Sequence, residues 1–525
     1  MKKNNFYIRF GSLLMAGALI CSSCDNGFEE MNTNPDTAPT PTPGYLLTKA
    51  QLDGVSDFTG GNNFLMGTVQ YTTSFNNVAG FGSKYNNSQI NQTWGLFTTA
   101  YPREVNNVLE AIRATKDKPD YVNIYSAARI MRVFIFHRLT DAYGAIPYFD
   151  AGKGTTESLF KPAYDDQESI YMDMFNELDQ AIAGFNAAAV VPIPPDLSGS
   201  DAIYAGNLTQ WKKFANSLML RLAMRLTKVK PDVAKQWAQK AIAGGVITED
   251  ADIAKITYPG SGLDTDKNPL ALNLWNSDYI KADGKTNTEG GKYHQAFISA
   301  LKDNDDPRLP VLSIVWRGTP IKPDTTQAYQ IGMPPTADGE ANLPKPFITY
   351  SEPNPKTVIK LSAPYVVVGN AEMKFLLAEA AIRGWYAGDT PEKLYADGIR
   401  AAMHQLALYG LDGTISETKI NKYIADNALV SGTDDQKYEQ IYTQFWLGVF
   451  PNAMEVYSTW RRTGFPKFVP NNFTGNGTGG QIFRRFQYPN SEQNLNVDNY
   501  NAAVNILKAN GGGDDILTRV WWDKQ

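Results

Sequence analysis

Residues 128–148, ARIMRVFIFHRLTDAYGAIPY, decide how the rest of the chain is read. With Ala127 before it, the first half of this stretch carries Ile130, Met131, Val133, Phe134, Ile135, Phe136 and Leu139, apolar on nearly every face of a helix. A helix with one face in water cannot be apolar all round, so this is an inner helix packed on two sides. Its pattern stops at Gly144, just before Pro147. A left-handed cap and a missing N–H end a helix there, and a sharp turn into extended chain follows. Burial on two sides requires other helices layered over it.

The chain supplies them. Ile170, Met174, Phe175, Leu178 and Ile182 recur at helical spacing over 167–185, which is the period of an amphipathic helix. After the loop VVPIPPDLSGS, the residues Trp211, Phe214, Ala215, Leu218, Leu222 and Leu226 interleave with Arg221 and Arg225, and a further helix covers 231–243. Upstream, Pro102 opens a helix at its first turn, running to about residue 116. Downstream, GNAEMKFLLAEAAIRGWY (369–386) and 391–409, joined by AGDT, resemble a tetratricopeptide unit. Segments 437–450 and 453–462 make another pair, and 497–508 a C-terminal helix. Short links set such pairs antiparallel.

Two stretches interrupt this pattern. Residues 45–94 are rich in glycine and asparagine with scattered aromatics, and long loops that expose rings tend to bind. Residues 250–362 change to prolines, glycines and charged turns, with few periodic runs beyond 293–302, and read as a loop-rich insertion. The fold expected is mostly α, a superhelical body of tetratricopeptide-like helix pairs over 45–525 carrying that irregular subdomain.

The chain has 525 residues, 43% of them hydrophobic and 20% charged, with a net charge of -5, so nothing favours a nucleic-acid partner. Lys2, Lys3 and Arg9 precede an apolar run over 10–20, the pattern of a secretory signal and too short to span a bilayer. The only two cysteines, Cys21 and Cys24, lie at its end. Ser22 and Ser23 before Cys24 suit a lipoprotein cut, giving a signal peptide over 1–23 and an acylated Cys24; a plain secreted protein is the alternative. The acidic, then proline-rich segment up to residue 44 is an extended tether to the membrane surface.

Catalytic and metal signatures are missing from the sequence. His137, His294 and His404 are far apart, with no H-E-x-x-H and no paired-cysteine spacing, and read as structural histidines. Gly475, Gly477 and Gly480 spell G-x-G-x-x-G without the flanking strand and helix, so the motif reads as a surface loop. There is no G-x-S-x-G and no Walker lysine. Asp264, Asp266 and Asn268 resemble the opening of a calcium loop, but Pro269 stands where glycine should and Trp275 where glutamate should. That excludes an EF-hand and leaves an isolated calcium site there, or at Asp303, Asp305 and Asp306, against solvated turn carboxylates. Among 54 acidic residues no glycosidase pair can be singled out.

What remains is aromatic. Trp94, Trp275, Trp316, Tyr85 and Tyr279 sit in loop-like contexts beside amides and carboxylates. Exposed ring faces stack on the apolar face of a sugar while polar neighbours take its hydroxyls; the competing role for any one ring is core packing. The five together are the expected sugar platform, the three tryptophans first.

Several blocks resemble the SusD/RagB-like nutrient-binding outer-membrane lipoproteins of Bacteroidetes: FEEMNTNPD after Cys24, RLTDAYGAIPY (138–148), WKKFANSLMLRLAMR (211–225), AEMKFLLAEAAIRGW (371–385), WRRTGFP (460–466) and RRFQYPNSE (484–492). The resemblance implies a tetratricopeptide-like body and a lipid-anchored protein on the cell surface. It also implies capture of oligosaccharides, or in some branches peptides, for a SusC-like TonB-dependent outer-membrane transporter, with no catalysis. A glycan-cleaving enzyme is the remaining alternative. The shared blocks fall on scaffold, so no ligand residue is carried over from them. Arg461 and Arg462 read as helix-end partners of Glu455 or other acids.

Overall fold

A computed structural model describes residues 41–524 apart from 57, 77–82, 86, 278–290, 472 and 474. Helices α1 (Pro43–Ser56) and α2 (Phe58–Thr68) occupy the stretch whose composition predicts loops. Leu47, Ala50, Val55 and Leu65 are fully buried there, so packing of a few apolar residues overrides weak helix propensity. A π-helical turn containing Pro102 (Tyr101–Val105) leads into α3 (Asn106–Thr115).

The inner helix is α4 (Val122–Tyr143), with 18 of its 22 residues buried. It is packed by α1, α3, α5 (Gln167–Gly184) and α6 (Leu208–Arg225). It ends where expected: Gly144 has φ +83°, and its N–H donates to the Thr140 carbonyl at 2.8 Å. The polar residues of α4 are matched inside the core. Asp141 accepts from the Tyr171 hydroxyl, from Trp522 Nε1 at 3.0 Å and from Arg225 Nε at 3.3 Å, tying α4 to α5, α6 and the C-terminal segment. His137 Nε2 lies 3.3 Å from Glu455 Oε1, and burial lowers its pKa, so it is a structural histidine.

Helix α7 (Pro231–Gly244) packs on α6. The loop-rich region then carries α8 (Pro269–Ser277) and α9 (Gln295–Lys302). Its short strands are joined by one from the N-terminal part: β1 (Thr72–Ser74), β2 (Ala254–Ile256), β3 (Gly291–Tyr293), β4 (Ser313–Arg317), β5 (Lys322–Asp324), β6 (Glu352–Pro353) and β7 (Tyr365–Val368). They pair antiparallel as β1 with β3, β2 with β7, and a three-stranded sheet with β4 between β5 and β6.

Helices α10 (Asn370–Ile382) and α11 (Pro391–Gln405) form the tetratricopeptide-like pair. Thr390 caps α11 by accepting from Lys393 N at 3.2 Å, and Pro391 takes the first helical position. Gly398 lets the two helices close: a Cβ there would come within 2.6 Å of the Phe375 ring. Helices α12 (Glu417–Asp426), α13 (Asp434–Gly448), α14 (Ala453–Thr463) and α15 (Val497–Ala509) complete the body. At the end of α14, Arg462 donates to both oxygens of Glu379 at 2.7 Å, whereas Glu455 is taken by Arg225 and His137. One main core runs from Leu47 to Trp522, and two smaller clusters are centred on the loop-rich region, one of them joined by Phe75.

Candidate functional site

The loop-rich region is held by a chain of buried cations and rings. In β4, Trp316 is 6% exposed and its Nε1 donates to Glu352 Oε1 in β6. The other Glu352 oxygen accepts from Lys292 Nζ of β3 in a fully buried pair. Lys292 Nζ stands 4.5 Å from the Phe347 ring centre, and Phe347 meets Phe75 edge to face at 5.0 Å. Burial lowers the Lys292 pKa against the raising effect of Glu352. Next in the chain, Lys84 Nζ donates to the carbonyls of Phe75, at 3.0 Å, and Ala337, and lies 4.6 Å over the Phe473 ring. Burial brings Lys84 down to about 8. Asn471 Nδ2 donates to the carbonyls of Ser83 and Pro335, each at 3.0 Å, and Gly477 N donates to the Tyr85 carbonyl at 2.8 Å. Segments from four distant parts of the sequence are thereby fixed to one another, with every ammonium matched by carbonyls, a carboxylate or a ring face.

This arrangement corrects two of the expected platform rings. Trp316 is a strand residue of the small sheet, and Tyr85, at φ +48°, is 5% exposed and packs edge-on to Phe483. Neither offers a face to a ligand. Tyr279 lies outside the described residues, as do Cys24 and the tether up to residue 40. Trp94 and Trp275 are each half-buried. Trp94 ends the 3-10 turn Asn87–Trp94, its Nε1 buried without a protein partner. Trp275 lies on α8 and packs against the main core. Both elements pack against α2, which brings these two onto the same helix from separate parts of the sequence.

A ring the tryptophan-centred reading missed is Tyr329, 42% exposed in the turn Gln327–Tyr329, with the exposed Arg317 guanidinium stacked 3.2 Å from its centre. The signal was Arg317 itself, one residue past Trp316. Burial in β4 runs from Ser313 through Trp316 and ends at Arg317, whose side chain is exposed.

The carboxylates proposed for calcium serve turns and caps. Asp264 pairs with Lys267 at 2.9 Å, and Asp266 Oδ2 accepts from Leu263 N at 3.1 Å. Asn268 Oδ1 accepts from Ala271 N at 3.0 Å, while its Nδ2 donates to the Ala363 carbonyl. Asp305 Oδ1 accepts from Gln327 Nε2 at 2.7 Å, and Asp306 is buried against Arg308. Among the described residues no group of three His, Cys, Asp or Glu side chains is placed to hold a metal ion.

Residues 61–523 match the family described as SusD-like, the Susd and RagB outer membrane lipoproteins. The chain belongs to the SusD-like family. As a SusD-like protein it is an outer-membrane lipoprotein, and among its described residues no helix is long and apolar enough to cross a membrane. Its SusD-like fold matches the solved structure of a chitin-binding protein at 30% identity, covering 92% of this chain and 100% of that one, with a TM-score of 0.78. A Bacteroidetes AC2a SusD-like structure matches at 27% identity, 92% and 100% coverage and a TM-score of 0.80. A chitin-binding SusD homolog from Flavobacterium johnsoniae matches at 27% identity, 92% and 98% coverage and a TM-score of 0.70. No curated protein matches the sequence.

Proposed function

We propose that this SusD-like lipoprotein captures an oligosaccharide of the chitin class at the cell surface and hands it, uncleaved, to a SusC-like TonB-dependent transporter. The observation that carries the reading is the full-length likeness to a chitin-binding protein at 30% identity. The half-buried rings of Trp94 and Trp275 and the exposed Tyr329 supply apolar faces of the kind that stack on sugar rings, and Arg317 supplies donors for hydroxyls. The protein is held to the membrane through acylated Cys24 and the segment that follows it. Binding costs no chemistry: stacking and hydrogen bonds hold the glycan, and release into the transporter follows from competition for the same surface. The test is calorimetric titration with chitooligosaccharides, followed by analysis for new reducing ends. Binding with an unchanged ligand supports the reading, and absence of binding to any oligosaccharide in a broad panel refutes it.

A further inference from the structure

On the helical body, away from the loop-rich region, a cavity of about 280 Å³ opens between the turn after α6, the C-terminal end of α10, the first turns of α13 and the end of α14. Four of its lining side chains are basic, Lys228, Arg383, Arg462 and Lys467, against two acidic ones, Glu379 and Asp435.

The acids do not balance the bases. Glu379 is saturated: its two oxygens accept from Arg462 at 2.7 Å each, from Arg383 and from the Tyr442 hydroxyl. Lys228 and Lys467, both exposed at the mouth, have no carboxylate partner among the described residues. Lys467 lies 4.1 Å over the Phe465 ring, and Lys228 reaches only the Lys524 carbonyl at 3.5 Å. The pKa of Lys228 is lowered by partial burial and then by repulsion from Arg462, Arg519 and Arg484, with Asp523 alone opposing. Asp523 already serves Arg519 at 2.6 Å and Arg484 at 3.5 Å. The ends of α6, α10 and α14 account for basic residues nearby, but they offer Lys228 and Lys467 no carboxylate.

The cavity is several times larger than a single oxyanion, being equal to about nine water volumes at roughly 30 Å³ each. Besides its cations it is lined by the rings of Tyr438 and Phe465 and the hydroxyl-bearing Thr227 and Thr463. We infer that this cavity is a second ligand site, taking a phosphate- or sulfate-bearing sugar, with the oxyanion between Lys228 and Lys467 and the ring against the half-buried Tyr438. An oxyanion there gains charge-assisted hydrogen bonds from two ammonium groups that lack a carboxylate of their own.

The test uses the full-length protein in detergent, titrated with glucose 6-phosphate, inorganic phosphate and glucose at low salt. Lys228 and Lys467 are exposed, so the double variant Lys228→Gln, Lys467→Gln leaves the fold and chitooligosaccharide binding intact. The expected result is saturable binding of glucose 6-phosphate, tighter than that of phosphate, none of glucose, and a loss of about tenfold or more in the double variant. The inference is overturned if glucose 6-phosphate does not bind, if phosphate or glucose binds equally well, or if the double variant binds as the parent does. Because chitooligosaccharide binding is read separately, failure here leaves the main glycan reading standing.

Discussion

Arg221 of α6 donates Nε and Nη2 to the two carboxylate oxygens of Glu372 in α10 at 2.6 and 2.7 Å, joining residues 151 positions apart in the middle of the core. Both side chains are almost fully buried. Glu372→Ala leaves the buried Arg221 with only Glu455, at 3.4 Å, as a carboxylate partner, and should cost about 3–5 kcal/mol of unfolding free energy. Replacing both, Arg221→Met with Glu372→Leu, should recover most of that loss. Urea unfolding of the three variants checks this; a double variant as unstable as the single one would show that the pair has no such coupling.

Trp316 is predicted to act on stability rather than affinity. It is buried in β4 with Nε1 donating to Glu352. Trp316→Ala leaves a cavity and removes one donor from Glu352, which keeps Lys292, and should destabilise by about 3–5 kcal/mol. A Trp316→Ala protein with the parent's melting temperature and weakened glycan binding would reverse the assignment.

For the half-buried Trp94 and Trp275 the expectation is the opposite. Trp94→Ala and Trp275→Ala should each weaken chitooligosaccharide binding by about 1–3 kcal/mol, by analogy with stacking on flat ligands. Calorimetry with the folded variants decides, and unchanged affinity in both would remove these rings from the site.

Acid sensitivity should reside partly in His294. It caps α9 by accepting from Ala296 N at 3.0 Å through Nδ1, and burial holds its pKa down to about 3. The unfolded chain binds a proton near about pH 6.5. Between those values the unfolded state therefore holds more protons, and stability contributed by the neutral ring is lost as pH falls through that window. His294→Asn keeps a cap acceptor without the titration, so its urea midpoint should drop less between about pH 7.5 and about pH 5 than the parent's. Equal drops would place the sensitivity elsewhere.

Membrane attachment is tested at Cys24. Cys24→Ser should move the protein from the membrane fraction to the soluble fraction on cell lysis, because two or more acyl chains are what hold such a body at a surface. Continued sedimentation with membranes would rule out Cys24 as the anchor.

The helical body was legible because its evidence is periodic: α4 is apolar on all faces and stopped by Gly144, and α10 and α11 are joined by a capped, proline-started link. The site was less legible because a short strand and a loop look alike in sequence. Trp316 sits in Ser313–Arg317, where four successive residues are buried, so no alternation betrays the strand. The opening helices α1 and α2 were hidden by glycine and asparagine, whose turn preference tertiary packing overrides. Arg462 does pair with an acid at the helix end, and the fold chooses which one: Glu455 is near in sequence, while Glu379, the partner, is near only in space.

Capture of a glycan without chemistry is what separates this protein from a glycan-cleaving enzyme. Titrating the purified protein with chitooligosaccharides and then analysing the recovered ligand tests it most directly. The prediction is saturable binding with the oligosaccharide recovered at its original length. Progressive shortening of the ligand, or no binding at all, would contradict it.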